Sequence, residues 1–150
     1  MRVKPIISTV AGALALALAL GCGQDDRPPT AASTELKPVS MEVGGKVFTV
    51  TLQNNTSAEA FSNMLPLTLD MSELHGNEKY HYLSTALPTN GMHPDTIHAG
   101  DLMLYGDDCI VVFYETFPTH YAYSPIGRVD SPAGLKEALG TGNVTVKFMK

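Results

Sequence analysis

Seven residues of this 150-residue chain carry side chains suited to recognising or polarising a ligand: Met71, Glu78, Tyr80, Phe117, His120, Tyr121 and Arg128. A guanidinium can stabilise a carbonyl on which charge builds up, a carboxylate and an amide can orient a polar group, and rings with a thioether can line an apolar recess. Asn77-Glu78-Lys79-Tyr80 sets an amide, both charges and a phenol in succession. That pattern suits either a rim that fixes a polar ligand or a turn held by Asn77 with an internal Glu78 pair to Lys79 or Arg128. Tyr105, Phe113, Phe117, Tyr121 and Tyr123, with Met71 and Met103, could line a pocket for a peptide or a small molecule. Eleven aromatic residues must also furnish the core, so Phe113 is read as core. Phe117, His120 and Tyr121, in a proline-punctuated stretch, are the surface candidates. Arg128 either serves a ligand as an electrophile or pairs with Asp130 or Glu78.

Other chemistries find little support. His75, His81, His93, His98 and His120 form neither an H-x-H nor an H-E-x-x-H pattern, so no metal is expected. There is no G-x-S-x-G, no glycine-rich phosphate loop and no serine beside an evident base, and no cofactor is expected. Glu73 and Glu78 are read as solvated carboxylates. Fifteen acidic against ten basic residues give a net charge of −5, which argues against nucleic acid as a partner.

A different chemistry is written at the amino terminus. Arg2 and Lys4 precede an almost unbroken apolar run, Ile6 to Leu20, and Ala19-Leu20-Gly21-Cys22 follows. About fifteen apolar residues fall short of the roughly twenty that cross a bilayer, so residues 1–21 read as a secretory signal. The junction resembles a bacterial lipobox, with Ala19 where a leucine is usual. That resemblance implies that Cys22 is the lipidated first residue of an exported, membrane-anchored lipoprotein. It would stand at the outer membrane or periplasmic face if the envelope has two membranes, and at the cell surface otherwise. Cleavage removes Arg2 and Lys4, leaving a more acidic product. Cys109 then has no partner, and its neighbours Ile110 to Tyr114 make it a buried, inert thiol.

The elements that must position these residues follow from punctuation and periodicity. Residues 22–39 hold three of the ten prolines and few large apolar side chains, and read as a flexible tether. Residues 40–150 read as one domain. Met41-Glu42-Val43, the hairpin pair Gly44-Gly45, and the alternation of Phe48, Val50 and Leu52 predict two strands with one wet face. Thr56-Ser57-Ala58-Glu59 is a capping box, opening a short helix that Pro66 stops. Leu67, Leu69 and Met71 alternate in another strand, followed by a polar loop from Glu73 to Lys79 and a short strand from Tyr80 to Leu83. Pro88 to Gly100 reads as a long surface loop. Asp101 to Tyr105 and Cys109 to Tyr114 flank Gly106-Asp107-Asp108 as a hairpin. Tyr121 to Val129 is extended with an edge or bulge at Pro125, Ser131-Pro132 starts a helix that Gly140 closes, and Val144, Val146 and Phe148 end the chain as a strand. Seven or eight short strands with two helices close best as a barrel whose ends the helices plug.

This order resembles the small bacterial cyclophilin-like family. The residues that carry the resemblance are Phe61, Leu65-Pro66-Leu67, Met71, Gly76 to Tyr80, Ala99 to Leu102, Phe113-Tyr114, Phe117, Tyr121, Ile126-Gly127-Arg128 and the Leu135 to Gly140 helix. It implies a mainly β fold, a closed eight-stranded barrel with two short capping α-helices. It also raises prolyl isomerisation, which in the active family relies on an arginine within a Phe-His-Arg segment and a glutamine a few residues on. The corresponding stretch here, Leu67 to Tyr80, has neither. The expectation is therefore a lipid-anchored module that binds a peptide or small ligand. The alternative is an isomerase with Arg128 as electrophile and Met71, Phe113 and Phe117 around the proline.

Overall fold

The computed structural model describes residues 35–150; residues 1–21, read as a signal, Cys22, read as the lipidation site, and residues 23–34, read as tether, lie outside the described residues. Val39–Val43 (β1) and Lys46–Leu52 (β2) form a hairpin over Gly44-Gly45, both at positive φ. Val39 is already buried, so the ordered domain begins within the stretch read as tether. Helix α1, Thr56–Asn63, is capped by Asn55 rather than Thr56. The Asn55 backbone is extended, its Oδ1 accepts from the Ala58 N–H at 2.9 Å, and its Nδ2 donates to the Pro125 carbonyl at 2.8 Å. A cap that also ties the helix to a distant strand outcompetes the hydroxyl beside it.

Leu67–Leu74 (β3) and Glu78–Tyr82 (β4) run further than the polar sequence between them suggests, because Glu73 and Lys79 face each other across the ladder. Only residues 75–77 turn, with His75 and Gly76 at positive φ. There follow Thr96–Ile97 (β5), Asp101–Tyr105 (β6), Cys109–Phe113 (β7), Phe117–Pro118 (β8), Ser124–Val129 (β9), Leu135–Leu139 (α2) and Val144–Met149 (β10). The long loop thus contains β5, which pairs with β8 in a two-stranded ribbon. Pro125 sits opposite Met103 where the β6–β9 register shifts, as its missing N–H requires. Helix α2 starts three residues beyond the expected proline. Gly134, at φ 80°, caps it without a side-chain bond, and Pro132 accepts from the Leu135 N–H in the turn before it.

Eight strands close in the order β1-β10-β3-β4-β7-β6-β9-β2, all pairings antiparallel. Val50, Phe61, Met71, Leu104, Ile110, Ile126, Val146 and Phe148 fill the interior with no exposure. Phe61 of α1 meets Phe148 edge to face at 5.2 Å, joining the helix to the barrel contents. Truncating either ring would cost about 3–5 kcal/mol. Leu135 and Leu139 of α2 reach the same core, and α2 passes beside Gly44, at the opposite end of β2 from α1.

Among the described residues, one charged side chain lies wholly buried inside the barrel. Lys79 pairs with Val112 across β4 and β7 and is wholly buried. Its Nζ donates to Glu73, to the Gly140 carbonyl at 2.8 Å and to the Gly142 carbonyl at 2.6 Å, and lies 5.5 Å from the Tyr114 ring centre. All three ammonium protons have acceptors, as a buried lysine requires.

Candidate functional site

Strand β7 is buried along its whole length, so both of its faces are covered. Ile110 and Val112 point into the barrel, whereas Cys109, Val111 and Phe113 belong to a second apolar cluster with Ile97, Met103 and Tyr123. That cluster sits on the outer wall of β4, β7 and β6, roofed by the β5–β8 ribbon and the chain that follows it. Beside the roof the wall stays open as a groove of about 740 Å³.

The groove is built in layers. Alternation along β4 brings Glu78, Tyr80 and Tyr82 to the outer face, and the ladder sets them against Phe113, Val111 and Cys109. Tyr105 of β6 stands opposite Cys109. The end of β3 and the turn after it supply Leu74, His75 and Asn77 at one end, and Phe117 to Tyr121 with Tyr123 form the far wall. Aromatic rings run along and beneath it in one connected series, Phe113 being the buried member. Tyr121 meets Tyr105 at 6.1 Å, Tyr105 meets Tyr123 at 5.6 Å, Tyr123 meets Phe113 at 5.5 Å and Phe113 meets Phe117 at 5.7 Å. Tyr82, Tyr105 and Tyr121 account for half of the six exposed large apolar side chains among the described residues, so exposed apolar surface gathers at this groove.

The polar end has its own character. Burial pushes the Glu78 carboxyl above its ordinary value, His75 opposing and Glu73 adding to the rise. Asn77 Oδ1 is enclosed and accepts no hydrogen bond, the one such side-chain atom among the described residues. Burial also pushes the Tyr123 phenol up to about 12 and, with Asp108 and Glu78 adding, the Cys109 thiol up to about 11. Neither is a nucleophile at neutral pH.

Of the residues singled out from sequence, Glu78, Tyr80, Phe117, His120 and Tyr121 meet in this groove. Met71 does not: it lies on the interior face of β3 with no exposure, because its strand alternation assigns it to the barrel core. Arg128 is also elsewhere. It lines a smaller recess of about 370 Å³ with His98, Asp101 and Met103, to which the β5 side of the ribbon contributes Thr96. There its Nε donates to Asp101 Oδ1 at 2.7 Å, so the ion pair forms with Asp101 rather than Asp130 or Glu78. Asp101 Oδ2 accepts from the His98 N–H at 2.8 Å, which fixes the carboxylate. Residues not singled out are Leu74, His75, Tyr82, Cys109, Val111, Pro118 and Thr119. The spacing of Glu78, Tyr80 and Tyr82 on one strand face is a signal that would have found Tyr82. Among the described residues no cluster of histidine, cysteine and carboxylate groups has metal-binding geometry.

Residues 41–149 match the Cyclophilin-like family. The solution structure of a hypothetical protein from Archaeoglobus fulgidus is similar, with a TM-score of 0.55 and 19% identity, over 75% of this chain and 92% of that one. At that identity the likeness concerns the fold. No protein of curated function matches.

Proposed function

Because the chain belongs to the Cyclophilin-like family, we propose that it works as a binding module, taking a peptide or small ligand into the groove on its outer wall without isomerising prolyl bonds. The observation that carries this reading is the composition of the groove: six aromatic side chains, one carboxylate and two histidines, with neither arginine nor lysine among its lining residues. Rotation about a prolyl bond crosses roughly 18–20 kcal/mol, and a cationic donor on the twisted amide is how an isomerase lowers it. Arg128 is committed to Asp101 in the other recess, and the groove offers a proline ring a place to rest with no such donor beside it.

The module is held at the cell envelope by lipid on Cys22, after removal of residues 1–21. Apolar runs of this length behind a basic start support export, and two or three acyl chains supply the anchoring that one would not. Metabolic labelling with a clickable fatty acid tests the anchor: Cys22→Ser should abolish the label and release the protein from membranes. Turnover of a proline-containing peptide tests the rest. No acceleration over the uncatalysed rate is expected, and turnover that disappears in Arg128→Ala would replace the binding reading with the isomerase one.

A further inference from the structure

We propose that the groove selects a small organic cation, its ammonium head seated on the Glu78 carboxylate and its apolar body lying along the tyrosines toward Tyr82. The inference rests on the groove being a binding site and narrows the occupant to one charge class.

Three features of the polar end agree. It presents Glu78, half-buried and the one carboxylate among the lining residues. An ammonium has three donors and no acceptor, so it can meet both Glu78 oxygens and their charge, where a hydroxyl has one donor and no charge to offer. The end also has no lysine or arginine, His75 being the basic side chain beside Glu78. Lys79, next in sequence to Glu78, points through the opposite face of the sheet and is used up on Glu73, Gly140 and Gly142. Burial makes the Glu78 carboxylate costly beyond what His75 offsets, and a bound cation relieves that cost whereas an anion would compound it. Finally, the Tyr80 ring follows Glu78 along the same strand face, about 7 Å on, and ring faces attract cations further.

The dimensions restrict the body. Glu78 and Tyr82 lie four residues apart on β4, about 13 Å along an extended strand. That span, within a volume of about 740 Å³, matches an amine carrying a short chain and a ring, and falls in the roughly 300–1,000 Å³ range of small-molecule sites.

Calorimetric titration of the full chain with 4-phenylbutylamine, 4-phenylbutanol and 4-phenylbutyrate at neutral pH separates charge from shape. The amine is expected to bind about tenfold more tightly than the alcohol, an ordinary return for one partly buried charged hydrogen bond, and the carboxylate least of all. Glu78→Gln should erase the advantage of the amine and leave the alcohol unchanged, while Tyr121→Ala, a change at an exposed position, should weaken all three alike. The ranking on the unaltered chain decides the matter even if the Glu78 variant does not fold. Equal affinities for the three probes overturn the charge selectivity and leave the groove as a binding site. Binding of an amidated Ala-Lys-Ala-Phe peptide, with the three small probes unbound, assigns the groove to peptides and overturns the small-cation proposal. Failure of all four overturns the groove reading itself.

Discussion

Replacing Lys79 by methionine removes the one charge enclosed inside the barrel while keeping most of its volume. Three interactions vanish: the bond to Glu73 and those to the Gly140 and Gly142 carbonyls. Removing one partner of a buried ion pair costs roughly 3–5 kcal/mol. Two features reduce that figure here. The Glu73 side chain is 21% exposed and keeps the Tyr114 hydroxyl, at 2.7 and 2.8 Å to its two oxygens, and the Gly76 N–H at 2.8 Å. The thioether also recovers about 1 kcal/mol of apolar burial. The net expectation is about 2–4 kcal/mol of destabilisation at neutral pH, a fall in Tm of about 8–16 °C for a domain of this size.

The same variant has a pH signature. Burial raises the Glu73 carboxyl, but the bonds from Lys79, Tyr114 and Gly76 outweigh it and hold the group below its ordinary value of 4.5. Its contribution to stability is therefore present above pH 4.5 and lost as pH falls through the lowered folded value. Without Lys79 the burial is met by fewer donors, so the gap between Lys79→Met and the unaltered protein should narrow below about pH 4.5. Urea unfolding followed by far-ultraviolet circular dichroism between pH 3 and 7 measures both quantities, at roughly ±0.5 kcal/mol. Equal midpoints at neutral pH, or a gap that widens in acid, would refute the assignment of Lys79 as a structural cation.

Other perturbations address the rest of the molecule. With its thiol pushed up to about 11, Cys109 should hold about 0.1% thiolate at pH 8; iodoacetamide should modify it only as fast as the domain opens, and prompt modification of the folded protein would contradict its burial. Gly44→Ala places a Cβ 2.4 Å from the Ala138 carbonyl oxygen at a φ of +57°, so α2 must move, and a loss of about 2–3 kcal/mol is expected in thermal unfolding. Arg128→Ala removes a half-exposed guanidinium from Asp101, which keeps the His98 N–H. It should cost about 1 kcal/mol and leave the affinity of groove ligands unchanged, and a change of more than about fivefold, or about 1 kcal/mol, would bring Arg128 into the site.

Much of the fold can be read from residue order. Alternation in Lys46–Leu52, the Gly44-Gly45 pair, the hairpin over Gly106-Asp107-Asp108 and the alternating last strand all identify elements the structure contains. The barrel follows from their number, since eight short strands without closure would expose edges. Helix starts were displaced, to Asn55 and to Gly134. Several residues near each start can cap, and contacts with Pro125 in one case and the approach of α2 to Gly44 in the other select among them. Lys79 was legible as a charge but not as a buried one, because the carbonyls that satisfy it lie 61 and 63 residues away.

The candidate site shows the same division more sharply. Local sequence determined that Phe117 to Tyr121 form a proline-punctuated stretch and that Cys109–Phe113 is apolar throughout, whereas Glu78, read as part of a polar loop, shares a strand face with Tyr80. Period-two alternation states that a strand has two faces without saying which one looks inward. That was decided by pairings across the ladder: Lys79 went inside against Val112, so Glu78 and Tyr80 went outside, and Met71 was drawn into the core. The β5–β8 ribbon, a contact between two pairs of residues about twenty positions apart, then roofed part of the outer wall and left the remainder open as a groove. Tertiary structure alone could set these relations, because each depends on which distant strand lies alongside and none on the neighbours in sequence.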